Sequence, residues 1–198
     1  MIARPDVLRG SAGSWQARAL LYTVAALSAA GLSGLVLGTL GRAIDPSTRA
    51  GAATLLAAVG LFVGLVRLAG ARLAPLQCDR ETPQSWLHQG LRLAAIKNGL
   101  ALGNGATTRL GFWSWYLIPL SALLLGDPLA GAAIYGVYGL TRGVSAWIWI
   151  VMTVRAHRIG ADPRDIPPRI LGWGHVASYV SAAQLTAVAT VVLVAVGF

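Results

Sequence analysis

Charge, acid and sulfur are all scarce in this chain of 198 residues. Charged side chains make up 12% of it, against about 25% in an ordinary soluble domain. That is too little polar surface for a separate soluble domain of any size. A single cysteine, Cys78, excludes an internal disulfide, a Cys-x-x-Cys pair and a Cys/His zinc pattern. The acidic residues are Asp6, Asp45, Asp79, Glu81, Asp127, Asp162 and Asp165, none of them inside an apolar run. Paired carboxylates for acid–base or metal chemistry are therefore missing. His88, His157 and His175 have no metal-ligand spacing, and neither a P-loop nor a serine nucleophile elbow occurs. No metal and no cofactor is expected, and a self-contained enzyme is disfavoured. Cys78 stands beside Asp79 and Arg80; without a resolving partner it reads as an inert loop cysteine before a working thiol.

What the chain does hold is long oil. Hydrophobic residues make up 56% of it, with 24 glycines, and its mean hydropathy is +0.64. The stretches Ala19–Gly41, Ala50–Val66, Gly99–Gly126 and Gly172–Phe198 are almost uncharged. A hydrocarbon core about 30 Å thick takes roughly 20 helical residues to cross. The expected fold is all-α: a polytopic integral membrane protein with about five transmembrane helices in one domain, 1–198. They are placed at 19–41, 50–71, 98–125, 129–154 and 171–197. The first run exceeds the 7–15 residues of a signal-peptide core and is read as retained. Gly126-Asp-Pro128 makes a tight hairpin between the third and fourth spans, and Pro46 breaks the chain before the second. The segment 72–97 is read as a cytoplasmic loop, with room for an interfacial helix around Trp86–Arg92.

The basic residues give an orientation. With five spans, Arg4, Arg9, Arg18, Arg67, Arg72, Arg80, Arg92, Lys97, Arg155, Arg158, Arg164 and Arg169 share one side, while Arg42 and Arg49 lie on the other. The positive-inside rule puts the richer side in the cytoplasm. The expected setting is a bacterial cytoplasmic membrane, amino terminus inside and carboxyl terminus outside. The net charge of +9 is thereby a topology signal, and no nucleic-acid partner is expected.

The third predicted span is the most polar. It begins Asn98-Gly-Leu-Ala-Leu-Gly-Asn-Gly-Ala-Thr-Thr-Arg109, turns aromatic at Phe112–Tyr116 and meets Pro119. Three glycines and a proline weaken its ladder, so it is expected to be kinked or broken, with Pro119 as a kink. Broken helices persist at membrane depth only where the freed backbone faces protein or a wet cavity. Arg109, and Arg142 in the fourth span, each cost about 2.5–3.5 kcal/mol at the bilayer centre on insertion scales. Asn98, Asn104, Thr107, Thr108, Arg109 and Arg142 form the candidate ligand-binding or intramembrane polar site. The alternative is that Arg109 sits at the cytoplasmic surface and that the two arginines never meet. Their counter-charge is sought in a helix carboxyl end, a lipid headgroup, a substrate or a partner protein. Gly34/Gly38, Gly60/Gly64, Gly99/Gly103 and Gly139/Gly143 each give Gly-x-x-x-Gly, the spacing of close helix contact.

The glycine-rich opening Gly99–Gly105, Pro119 within Ile-Pro-Leu, the hairpin Gly-Asp-Pro128 and Gly131…Tyr138-Gly-Leu-Thr-Arg-Gly143 cover about residues 98–143. This quarter of the chain resembles the transmembrane domain of the cytochrome c biogenesis and thiol–disulfide electron-carrier family. The resemblance implies kinked helices and tight hairpins. It also implies one cysteine beside a proline in each of two spans, but Ile118 and Leu120 flank Pro119 here. Electron carriage through an internal disulfide is excluded, and only the kink and the fold carry over.

Three functions follow as expectations. The first is a transporter or carrier-like subunit with a polar site on the third and fourth spans. The second is a non-catalytic anchor or assembly subunit of a larger complex. The third is a membrane enzyme acting on a lipid-type substrate. Expected partners are membrane lipid and either further copies of the chain or another membrane protein.

Overall fold

A computed structural model of the chain describes residues 12–71, 73, 85–105, 113–158 and 174–196. Most of these are helical, with no strand among them. In chain order they form α1 (Ala12–Arg42), α2 (Pro46–Leu68), the short α3 (Ser85–His88), α4 (Leu91–Asn104), a 3₁₀ turn (Trp113–Tyr116), α5 (Leu117–Leu125), α6 (Pro128–Arg158) and α7 (Gly174–Val196). Two of them, α1 over Trp15–Arg42 and α2, are long and apolar enough to cross a membrane.

The predicted third span differs most from what is observed. Helix begins at Leu91, seven residues before Asn98, and stops at Asn104, where Gly105 takes a left-handed φ of +74°. Only glycine adopts that conformation without steric cost, and it is a common helix terminator. The next described residues, Trp113–Tyr116, form a 3₁₀ turn. Pro119 is the third residue of α5, which follows directly on the 3₁₀ turn and runs on through the proline to Leu125. The interruption therefore lies upstream of the proline, not at it.

The other helix ends follow from local chemistry. Asp45 caps α2, accepting from the Ser47 and Thr48 amides at 2.9 and 3.3 Å and from the Ser47 hydroxyl, with Pro46 at the first helical position. Asp127 repeats the device before Pro128, accepting from the Leu129 and Ala130 amides at 2.8 and 3.1 Å. Asp-Pro is a strong start signal, since the carboxylate satisfies free amides and the proline lacks one. Both carboxyls are held below the ordinary carboxylate range. The Ser47 hydroxyl is the main cause for Asp45 and the Ala130 amide for Asp127. At its other end α2 closes in a Schellman motif: Ala71 N–H donates to Val66 C=O and Gly70 N–H to Arg67 C=O, with Gly70 at φ +94°.

The chain divides into two compact units. The first contains α1 up to Leu32, α3, α4 and α6 from Gly136. Here Gly139 lies against Ala26, Leu27 and Ala30, and Gly143 against Thr23, so α6 runs antiparallel to α1. Gly99 meets Tyr22 and Ala25, and Gly103 meets Ala26, so α4 runs parallel to α1. Ala26 and Ala30 are fully buried between these neighbours. Trp147 Nε1 donates to Thr23 Oγ1 at 3.2 Å, and Trp147 meets Trp15 edge-on with centroids 5.8 Å apart.

The second unit contains α1 from Ser33, α2, the 3₁₀ turn, α5, α6 up to Tyr135 and α7. Gly34 meets the Gly131 backbone, and Gly38 meets Asp127 and Pro128. Gly60 lies on Leu185 and Ala189, and Gly64 on Thr186, which sets α2 antiparallel to α7. Arg49 reaches the carboxyl end of α5, Nη1 donating to Leu125 C=O at 2.9 Å. The Gly-x-x-x-Gly pairs named above are thus all occupied by the chain's own helices.

Burial is inverted relative to a soluble fold. The buried side chains are mostly alanines, while Leu55 and Phe62 are each 66% exposed and Leu129 is 78% exposed.

Candidate functional site

The clearest polar constellation lies in the first unit, where α4 ends. Gly103, one residue from the end of α4, packs on Ala26, and Ala26 is near the middle of the 31-residue α1. The last turn of α4 therefore stops alongside the middle of a long helix, not beside its end. The carbonyls of that turn have no continuing helix to accept from, and they carry the negative end of the helix dipole.

Two residues of α6 meet them. Tyr138, itself buried, donates its hydroxyl proton to Leu102 C=O at 3.1 Å. Arg142, one turn later, donates from Nε to the Tyr138 hydroxyl oxygen at 3.2 Å, with its guanidinium 5.4 Å from the Tyr138 ring centre. The chain guanidinium–phenol–carbonyl joins a fixed cation to a helix carboxyl end, the favourable sense for the dipole. Among the described residues no carboxylate pairs with Arg142. The buried Tyr22 of α1 lies within electrostatic reach of both Arg142 and Tyr138.

Of the residues expected to form the site, Arg142 stands at this junction. Asn98 is half-buried on α4, one turn before Leu102, and Asn104 is the exposed last residue of α4. Thr107, Thr108 and Arg109 lie outside the described residues, as does Cys78. Tyr22 and Tyr138 were not singled out from the sequence. Each lies in an apolar run and reads there like any other aromatic, so the sequence carried no signal for them. No group of three or more His, Cys, Asp or Glu side chains comes together among the described residues.

Arg142 offers a hydrogen-bonding cation, Tyr138 and Tyr22 offer hydroxyls, and α4 offers carbonyls. Such a set suits a carboxylate, a phosphate or a carbonyl oxygen at the guanidinium.

A second polar knot lies in the second unit. Arg67 donates from Nη1 to Leu73 C=O and from Nη2 to Ser178 Oγ. Trp113 Nε1 donates to the same Leu73 carbonyl at 3.1 Å, and Ser114 and Ser181 share a 2.8 Å hydrogen bond. No family model, curated protein or solved structure matches the chain.

Proposed function

We propose that the chain is an integral membrane protein of five crossings that acts as a transporter or carrier-like subunit. In this reading Arg142, Tyr138 and the end of α4 form an intramembrane site for an anionic or carbonyl-bearing solute. The single observation that carries it is the end of α4 beside the middle of α1, tied through Tyr138 to Arg142. Half-helix ends that point into a membrane protein are where substrates and coupling ions bind in many transporters. A guanidinium at that depth is expensive and is kept for a purpose.

The membrane reading is supported by the exposed leucines, valines and phenylalanine over an interior of alanine and glycine. Water penalises that distribution and lipid favours it, because in lipid close backbone packing replaces the hydrophobic drive. Besides α1 and α2, α7 has 23 residues without a single Asp, Glu, Lys or Arg, and α6 has 31 residues. The predicted third crossing is divided in sequence into α4 and α5.

The four Gly-x-x-x-Gly pairs meet the chain's own helices, so the alternative reading, an anchor or assembly subunit, leans on the basic loops.

The test is solvent access to the site. In a Cys78→Ser background, Asn98→Cys is exposed to a charged, membrane-impermeant thiol reagent in intact cells and in inverted vesicles. Labelling from one side, slowed by small carboxylates or phosphates and lost with Arg142→Leu, is the expected result. A cysteine that is unreactive from both sides, in folded protein, excludes a wet polar cavity.

A further inference from the structure

The second unit holds a cavity that the polar site does not use. It lies between α2, α7 and the segment Trp113–Leu125, with a volume of about 270 Å³. Its walls are apolar almost throughout; Gly60, Val63, Leu117, Leu120 and Leu185 are among the residues that form them. Along α2 it extends from Ala53 to Val63, about 15 Å at the helical rise. Val59 and Val188 line it and are themselves well exposed, so it opens sideways between them. Water does not fill a cavity so lined, for it would find too few polar partners. The shape is long, narrow and dry, and it opens toward the surface where the large apolar side chains lie.

One end of the cavity is different in kind. The Trp113 ring lines it, while Trp113 Nε1 points to the Leu73 carbonyl that also accepts from Arg67. Arg67 stands one turn beyond Val63 on the same face of α2. Its described hydrogen bonds go to a backbone carbonyl and a serine hydroxyl, both neutral, and among the described residues no carboxylate pairs with it. An apolar slot that ends at a tryptophan, with a guanidinium held on the same carbonyl one turn beyond Val63, has the polarity of a phospholipid: chain within, phosphate past the end. Tryptophan and arginine are also the residues that settle at the headgroup level. The orientation expected from the basic residues puts Arg67 at the cytoplasmic leaflet, whose surface potential is negative.

We infer that this cavity is a binding site for one acyl chain of an anionic phospholipid, with the lipid phosphate held at Arg67. The site goes beyond the solute site at Arg142 and shares no residue with it. It rests only on the membrane part of that reading.

The experiment uses the full chain, purified in mild detergent and followed by native mass spectrometry. Phosphatidylglycerol and phosphatidylcholine of equal chain length are added in competition. The wild type is expected to retain one phospholipid per chain through detergent exchange, favouring phosphatidylglycerol by roughly tenfold, since both lipids offer Arg67 a phosphate but phosphatidylcholine also brings a quaternary ammonium that offsets it. Arg67→Gln should abolish the preference while still holding a lipid. Ala53→Trp, which fills the far end of the cavity, should release both lipids. As a check that does not depend on a variant folding, phosphatidylglycerol with a photoreactive acyl chain should crosslink to Val59 or Val188. Protein that requires detergent yet retains no lipid overturns the site, as does lipid retention indifferent to both substitutions, or crosslinking confined to α1. Protein that stays dispersed without any detergent overturns the membrane reading itself, and the site with it.

Discussion

Arg142 is held by a phenol, and the phenol by a carbonyl, so the middle member decides the fate of the other two. Tyr138→Phe keeps the ring against the guanidinium but removes both hydrogen bonds. The Leu102 carbonyl and the Arg142 Nε would then be left without these partners in a mostly buried place. Such a loss costs about 1–3 kcal/mol, and a lowered thermal midpoint of the detergent-solubilised protein would register it. Arg142→Lys is expected to bind solute more weakly than wild type, because an ammonium lacks the planar fork of the guanidinium. A ligand-induced thermal shift measured side by side for the two proteins checks this. Arg142 could be picked out from the sequence because a charge among apolar residues stands out. Tyr22 and Tyr138 could not, because a tyrosine in an oily run looks like any other aromatic until its hydroxyl has an address.

At the scale of the element, two Asp-Pro pairs start two helices in the same way, and they give the helix starts a pH dependence with a definite sign. The folded carboxyls of Asp45 and Asp127 titrate below the ordinary value. Their contribution is therefore complete above the unfolded carboxyl pKa of about 3.9. It fades as the pH falls through the still lower folded values. Asp127→Asn should keep the cap, since asparagine caps as well as aspartate, and should flatten the loss of stability in acid. Asp127→Ala should lose the cap at every pH. Thermal melts of the three proteins between neutral and strongly acid pH separate these outcomes. Close packing gives a further prediction at this scale. A methyl group at Gly103 would overlap the Ala26 backbone, and one at Gly34 the Gly131 carbonyl. Gly103→Ala and Gly34→Ala should each destabilise by about 1–3 kcal/mol, as overpacking does, and lower the yield of monodisperse protein. The sequence carried the helices as apolar runs and the close contacts as glycine spacing. It hid the start of α4, because Leu91–Lys97 carries Arg92 and Lys97 and reads as a polar loop. In the structure Lys97 is drawn back to Gln89 and lies over the Trp86 ring at 5.9 Å, which lets the helix extend through it. The interruption after Asn104 was foreshadowed by the glycines around it, whereas Pro119 drew attention to a place where the helix runs on.

For the molecule as a whole, the second unit ties two distant turns together and so constrains how the chain can thread a bilayer. Arg49, just after the α1–α2 turn, donates to Leu125, just before the α5–α6 turn, and Gly41 lies against the Leu123 carbonyl. Turns in contact emerge on the same side of a membrane. On the proposed membrane reading, the chain between them crosses an even number of times. It holds α2, and then α4 and α5 with the segments around them. If α2 crosses once, α4 and α5 together must supply one crossing between them, not two. In the proposed five-crossing reading, that one crossing is the split third. It also agrees with the basic residues, which put Arg42 and Arg49 opposite the segment that contains Cys78, Arg80 and Arg92. Single cysteines at Ser47 and Asp127, in a Cys78→Ser background, should both react with an impermeant thiol reagent applied outside intact cells. In the unsubstituted chain, Cys78 should react only after the membrane is breached or inverted. Labelling of Ser47→Cys and Asp127→Cys from opposite sides would break the even count and with it the five-crossing arrangement. Labelling of Cys78 from the outside would reverse the orientation while leaving the count intact.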